Sequence, residues 1–465
     1  MITKRRFCAV VAAVCLNAAP AVAGCVSNPP NQSDSTFPAS LAGKLAFHRY
    51  VSYGDGTSQI YLYDFRAHAL SQISAASWGI SDPMNAVFSR DGAWLLFMGV
   101  KNNAWNIFLY PLGSANPPFN LTNSTGGTRN EDPKFSADGT KIVFKQNGDV
   151  KIATLSFSAG VPSLSAPTNL TGTAPTTENS MPFLAPDASA VYFATGSGAT
   201  LGLHKLTLAT GASVTFDAPS GLAAYYPIVR GDGQVFYARW ADAVSRNDQI
   251  YIKTADYLST PVQAPFNDCI SGNSDPWPVS GTNYVFFSST TAGGYQLYLG
   301  DAASGLRWSL TQFGVNANLY TTQTAKLGSS YFAISNLSQG RPAAASTSYN
   351  ASLTPDKAFD GNTTTTRWDS LEGSGVDPQW LSVDLGAVKT IVGLDLYWDA
   401  GALVYAIQTS NDNATWTTIY STTSGVAWGH VALNVAGSGR YVRMYGTQRA
   451  TPWGYSLDEM QVWGY

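Results

Sequence analysis

The sequence predicts an all-β protein in two parts: a β-propeller of six blades, with seven as the alternative count, and a separate C-terminal β-domain. Two observations predict it. Strand-like phrases recur every forty-five to fifty residues through the middle of the chain, with no helix-period segments between them. After about Ser335 the repeat stops, and a non-repeating series of alternating strands begins.

The elements follow in chain order. Residues 1–24 read as an export signal: Lys4, Arg5 and Arg6 precede an apolar run from Phe7 to Leu16, and small residues close it. Val22-Ala23-Gly24-Cys25 is similar to the bacterial lipobox, which implies lipidation of Cys25 and a lipid anchor in the cell envelope, with the outer membrane as the expected site. Cleavage after Ala23, giving a secreted soluble protein, is the competing reading. Residues 26–40 (VSNPPNQSDSTFPAS) lack periodicity and are expected to form a flexible linker. With Cys8 and Cys15 in the signal and Cys25 lipidated, Cys269 is left alone, so no internal disulfide is expected.

The propeller is assigned to 41–335. Its units are PMNAVFSRDGAWLLF from Pro83, PKFSADGTKIVF from Pro133, PFLAPDASAVYF from Pro182, PIVRGDGQVFYA from Pro227 and PWPVSGTNYVFF from Pro276. The turn residues Asp91, Asp138, Asp187 and Asp232 stand 47, 49 and 45 residues apart. Each unit reads as a strand, an Asp-Gly-type turn, an apolar strand and a further hairpin strand such as NIFLYPL or QIYIKTA. Leu45-Ala46-Phe47 starts an earlier hairpin, and Tyr331-Phe332 is the candidate strand to close the ring against it. With Asn120-Leu121-Thr122 and Asn169-Leu170-Thr171 ahead of two units, the pattern resembles the Tol-type, WD-like propeller repeat.

Residues 336–465 form the second part. The phrases PDKAFDGNTTTTRW, DPQWLSVDLG, YAIQTSNDNATW and SLDEMQVWGY, in that order, resemble the discoidin or coagulation factor V/VIII type C module, including family 32 carbohydrate-binding modules. The resemblance implies a galactose-binding-like jelly roll, a β-sandwich, that binds polysaccharide or another glycan. It also implies a structural calcium ion. The loop Asp360-Gly361-Asn362 with its threonine run offers hard oxygen donors of mixed kind, as calcium prefers. Asp360, Asn362 and Thr365 are the expected ligands, closed by Glu459; counting back from Trp368 selects Thr366 instead.

A sugar site needs exposed aromatic faces beside charged or amide groups on a rigid support. Candidates on the predicted loops are Glu372, Trp398, Asp399, Arg449, Trp453 and Tyr455, with Trp428 and His430 as a rim. Trp368, Trp380, Trp416 and Trp463 fall at strand positions and are expected in the core.

Charge excludes some functions. Charged residues make up 12% of the chain, about half of the ~25% usual in soluble proteins. Removing the signal leaves 24 Lys and Arg against 30 Asp and Glu. Nucleic acid is therefore not an expected partner. Catalysis has weaker support. The four histidines, His48, His68, His204 and His430, lack metal-ligand spacing, and there is no nucleophile elbow or phosphate loop. Asp82, Glu131, Glu178 and Asp275 recur at blade positions suited to capping turns. The leading reading is a lipid-anchored glycan-binding protein whose propeller serves as a platform, with envelope proteins as candidate partners there. The alternative is a polysaccharide lyase or glycoside hydrolase acting in the channel, with His204, Tyr226, Arg230 and Arg239 as one conceivable site.

Overall fold

The computed structural model describes residues 31–32, 36–172, 177–268, 270–315, 328–371 and 377–465. Cys25, Cys269 and Glu372 lie outside the described residues. Among those described there is no α-helix, only short 3-10 turns, and no helix long and apolar enough to cross a membrane.

Six separate antiparallel sheets make the propeller. The second blade is typical, with strands Ser81–Phe88, Trp94–Lys101, Ala104–Pro111 and Phe119–Asn120 in sequence order from the channel outwards. The first blade closes the ring: its inner strand is Ser329–Phe332, paired to Lys44–Arg49 through Leu45 and Tyr331. That is the closure expected from the sequence, and the count is six.

Two features of the repeat have a physical cause. The turn aspartates serve their own turns: Asp138 accepts from Ser136 Oγ at 2.6 Å and the Thr140 amide at 2.9 Å. Those bonds pull its carboxyl down to about 2. The repeated prolines mark a bulge in each inner strand of blades two to six. Asp82, Asp132, Met181, Tyr226 and Asp275 precede Pro83, Pro133, Pro182, Pro227 and Pro276, all with positive φ between 49° and 53°. Pairing with the next strand skips there, between Ser274 and Trp277 in the sixth blade. A proline cannot donate to the ladder, so a bulge relieves the mismatch and re-aims the neighbouring side chain. Between blades, apolar faces meet in dry layers, such as Leu96, Ile107 and Leu109 against Ile142 and Phe144.

The expected flexible linker is in part docked. Gln32 N donates to Arg307 O at 2.8 Å, Trp308 Nε1 donates to Thr36 Oγ1 at 3.0 Å, and Phe37 stacks on Phe65 at 5.4 Å. Phe37 brings an apolar anchor into a segment whose composition otherwise reads as a spacer.

From Ser335 onward the chain forms a sandwich built on two long bent strands, Gln379–Ala400 and Gly429–Arg449, flanked by Ala402–Ser410 and Ser456–Gly464. Its core holds Trp368, Leu381, Leu394, Leu396, Met444 and Val462. Arg66, from a propeller turn, enters this module. Its guanidinium donates to Leu433 O at 2.9 Å and Leu394 O at 3.4 Å, and pairs with Asp395 at 3.4 Å. A Cβ on Gly393 would lie 2.6 Å from Arg66 Cζ, so glycine is needed there for the approach. Arg66→Ala is expected to cost about 1–3 kcal/mol and to split thermal unfolding into two transitions. Gly393→Val should do the same with Arg66 intact. A single unshifted transition in both variants would show that this contact does not couple the two parts.

Candidate ligand-binding face and metal loop

One end of the sandwich gathers the loops 399–401, 425–429 and 449–455. Gly401 N donates to Ala427 O at 2.8 Å, and Ala450 N donates to Gly401 O at 3.0 Å. These bonds place Trp428 and Trp453 at the same end. Both indoles are largely in solvent, 62% and 54% exposed. Exposed tryptophans in a hydrogen-bonded loop frame are what a stacking platform requires.

Beside Trp453 stands a polar group held in place. Arg449 Nη1 donates to Trp453 O at 3.5 Å, and Arg449 Nε lies 3.4 Å from Asp377 Oδ2. Tyr455 donates its hydroxyl to Asp377 Oδ1 at 2.5 Å. Burial, followed by that carboxylate, holds the phenol well above its ordinary pKa, so it stays a donor. On the neighbouring loops Arg367 Nε sits 3.3 Å from Asp399 Oδ2 and 3.5 Å from Asp369 Oδ2. Asp458 is shifted upward by burial and then by Asp399. Among the described residues this face carries more carboxylates (Asp369, Asp377, Asp399 and Asp458) than cations (Arg367 and Arg449).

Two candidates are corrected. Trp398 is 3% exposed and Tyr455 is fully buried, so neither presents a face to ligand. Trp398 packs edge-on against Tyr405 at 5.7 Å, and the Tyr455 ring covers Gly446, where a Cβ would come within 2.5 Å. Tyr455 acts instead through Asp377. His430 turns away from the rim: it stacks on Tyr397 at 4.5 Å and bonds Asp395 through Nε2 at 3.0 Å. Trp368 is in the core as expected, while Trp380, Trp416 and Trp463 are only partly buried. Asp377 and Arg367 were missed; the only signal was their place in the phrases DPQW and RWDSLEG that flank the loops.

The loop expected to hold a metal closes on a buried acid. Glu459 is fully buried, and its Oε1 has no hydrogen-bond partner. Its Oε2 accepts from Gly361 N at 3.2 Å. Burial, with Asp360 adding, pushes the carboxyl up to about 8. Asp360 Oδ1 accepts from Thr366 Oγ1 at 3.0 Å, and Thr365 Oγ1 accepts from Asn362 Nδ2 at 2.5 Å. A buried carboxylate oxygen left unmatched beside a second carboxylate and hydroxyls fits a hard divalent cation.

The propeller's candidate lyase residues do not come together. Arg230 binds Asp232 and Thr282 O at the opposite end of its strand from Tyr226. His204 packs on Phe193 at 5.9 Å, and Arg239 lies over Tyr251 at 3.8 Å. His68 sits exposed in a turn. His48 is buried and pulled down to about 3 by burial, so it is neutral. The repeated acids serve structure: Asp82 accepts from Gly56 N at 2.9 Å, and Lys145 bridges Glu131 and Glu178.

A six-bladed propeller joined to a β-sandwich with aromatic loops at one end defines the class of protein. Residues 342–459 match the F5/8 type C domain model, and the C-terminal module belongs to that family. It is similar to chitosan-binding module 1 of a chitosanase/glucanase from Paenibacillus sp. IK-5, with 45% identity over 28% of this chain and 98% of that one, TM-score 0.26. Module 2 of that enzyme, solved with chitotriose, is 41% identical over 27% and 98%, TM-score 0.26. The propeller side is similar to TolB from Acinetobacter baumannii at 14% identity over 63% and 67%, TM-score 0.46. Among curated proteins none matches the chain.

Proposed function

We propose that this protein binds a glucosamine-containing polysaccharide of the chitosan class through the Trp428–Trp453 end of its C-terminal module, with the propeller as a non-catalytic platform. The observation that carries the reading is the exposed Trp453 beside the braced Arg449–Asp377 pair, in a module 45% identical to a chitosan-binding one. Carboxylates on that face suit the ammonium group of glucosamine, and the indoles suit its C–H faces. Calorimetric titration of the full chain with a deacetylated glucosamine oligomer tests it. Saturable binding is expected; no heat from this oligomer or its N-acetylated counterpart would overturn the reading.

A calcium ion in the Asp360–Glu459 loop would neutralise the buried carboxylate and brace the module. Asp360, Asn362, Glu459 and a hydroxyl from Thr365 or Thr366 would hold it.

The export signal and Cys25 support a lipid-anchored envelope protein. Cys25→Ser is expected to move the protein from the membrane fraction to the soluble one. Wild-type protein that carries no fatty acid and partitions into the aqueous phase would favour the secreted form.

A further inference from the structure

A cleft of about 520 Å³ lies where the propeller meets the module, between the second and third blades on one side and Val388, Lys389, Thr390, Ser438 and Tyr465 on the other. Small-molecule sites form preferentially at such junctions, and this volume falls in their ~300–1,000 Å³ range. We propose that the cleft is a second sugar site, which takes an N-acetylated glucosamine unit by stacking it on Trp94 and Phe157 and bonding its oxygens through Arg90 and Lys389.

Three features carry the assignment. The first is construction. The third blade departs from the repeat here: its sheet has five strands where the other five blades have four. Strand Asp149–Ser158 runs on and pairs with an added strand, Val161–Leu164. Phe157 stands on that extension 48% exposed. Its ring meets Trp94 at 5.2 Å, and Trp94 is backed by Phe119 at 6.3 Å. Aromatic rings held on paired strands make a pre-organised stacking surface.

The second is the fixed width of the cleft. Tyr465 and Thr390 exchange backbone hydrogen bonds at 3.1 Å, and Tyr465 donates its hydroxyl to Asp91 O at 2.7 Å. Hydrogen bonds therefore tie the module wall to the second blade.

The third is the polar inventory. Among the described residues neither the Arg90 nor the Lys389 side chain has a hydrogen-bond or ion-pair partner, so their donors are available to hydroxyl and carbonyl oxygens. The two carboxylates beside them serve their own turns. Asp91 accepts from Ser89 Oγ at 2.5 Å and Ala93 N at 3.1 Å, as Asp138 does from Ser136 and Thr140. Two cations against two carboxylates leave this lining without net charge, unlike the acid-rich Trp453 end. An uncharged sugar suits it better than an ammonium. Val388 and Leu155 supply an apolar wall for the acetamide methyl.

The choice of this sugar among neutral ones rests on the proposed function, since a chitosan-class polymer retains some acetyl groups. The test uses the full chain with Trp453→Ala, which silences the module end, and titrates it calorimetrically with N-acetylated and deacetylated glucosamine trimers. One site is expected for the N-acetylated trimer, binding about tenfold more tightly than the deacetylated one. Adding Phe157→Ala, on the propeller wall, should weaken it about tenfold. Adding Lys389→Ala, on the module wall, should also weaken it, and this change removes no packing contact or ion pair. Melting temperatures should stay close to that of Trp453→Ala.

No heat from the N-acetylated trimer in Trp453→Ala overturns the cleft site; deacetylated trimer bound by wild type then leaves the module reading intact. Deacetylated trimer bound equally by wild type and Trp453→Ala, with the N-acetylated trimer still lost on Phe157→Ala, overturns the module reading and leaves this one. Binding indifferent to both Phe157→Ala and Lys389→Ala places the sugar elsewhere and overturns the proposal. Equal affinity for the two trimers in Trp453→Ala overturns the N-acetyl assignment.

Discussion

Trp453→Ala is expected to weaken the module's hold on a glucosamine oligomer by about 30-fold, some 2 kcal/mol, as for loss of a hot-spot aromatic. The indole is more than half exposed and belongs to no core cluster, so unfolding should be nearly unchanged. Loss of binding without loss of stability separates a recognition platform from a packing residue. Arg449→Ala should also weaken binding, because it frees Asp377 and unties the Trp453 carbonyl. Arg449→Lys should restore only part, since an ammonium cannot reproduce the planar fork. Arg440→Ala is the control: its guanidinium pairs with Asp384 at 2.8 and 2.7 Å, away from the tryptophan end, and binding should not change. Wild-type affinity in Trp453→Ala would remove recognition from this face.

The propeller was legible because its punctuation is chemical. A proline, an aspartate and a glycine with positive φ recur in each well-kept unit, as at Pro133, Asp138 and Gly139. What stayed hidden is short or geometric. Outer strands such as Phe119–Asn120 are two residues long, too short for a periodic signal. The bulges could not be read either, since a residue before proline usually takes an extended conformation.

The site was legible by residue type but not by side. Trp398 was read as a loop residue, yet Leu394, Leu396 and Trp398 fall at period two on one buried face. The strand runs on to Ala400, and its alternation turns that indole inward. Asp377 was invisible because its role depends on Tyr455, 78 positions away along the chain.

Calcium should raise the melting temperature of the full chain strongly at about pH 8 and weakly at about pH 5, and Glu459→Gln should abolish the response. Without metal, Glu459 is held at about 8, above its ordinary 4.5, chiefly by burial. A folded pKa above the unfolded one means that the folded state keeps the proton longer. The metal-free protein therefore loses stability as pH rises from about 4.5 to about 8, then levels off. The loss is on the order of 2–5 kcal/mol, at about 1.4 kcal/mol per unit. A divalent ion supplies the missing countercharge only to the ionised carboxylate, so its stabilisation grows over the same window. Glu459→Gln keeps the shape and the Gly361 contact but carries no charge. In chelator it should be more stable than wild type at about pH 8 and should lack that pH slope. Thermal unfolding in calcium against chelator, at both pH values, reads all of these. An equal calcium shift in wild type and Glu459→Gln would place the ion elsewhere, and no shift in wild type at about pH 8 would remove it from the loop.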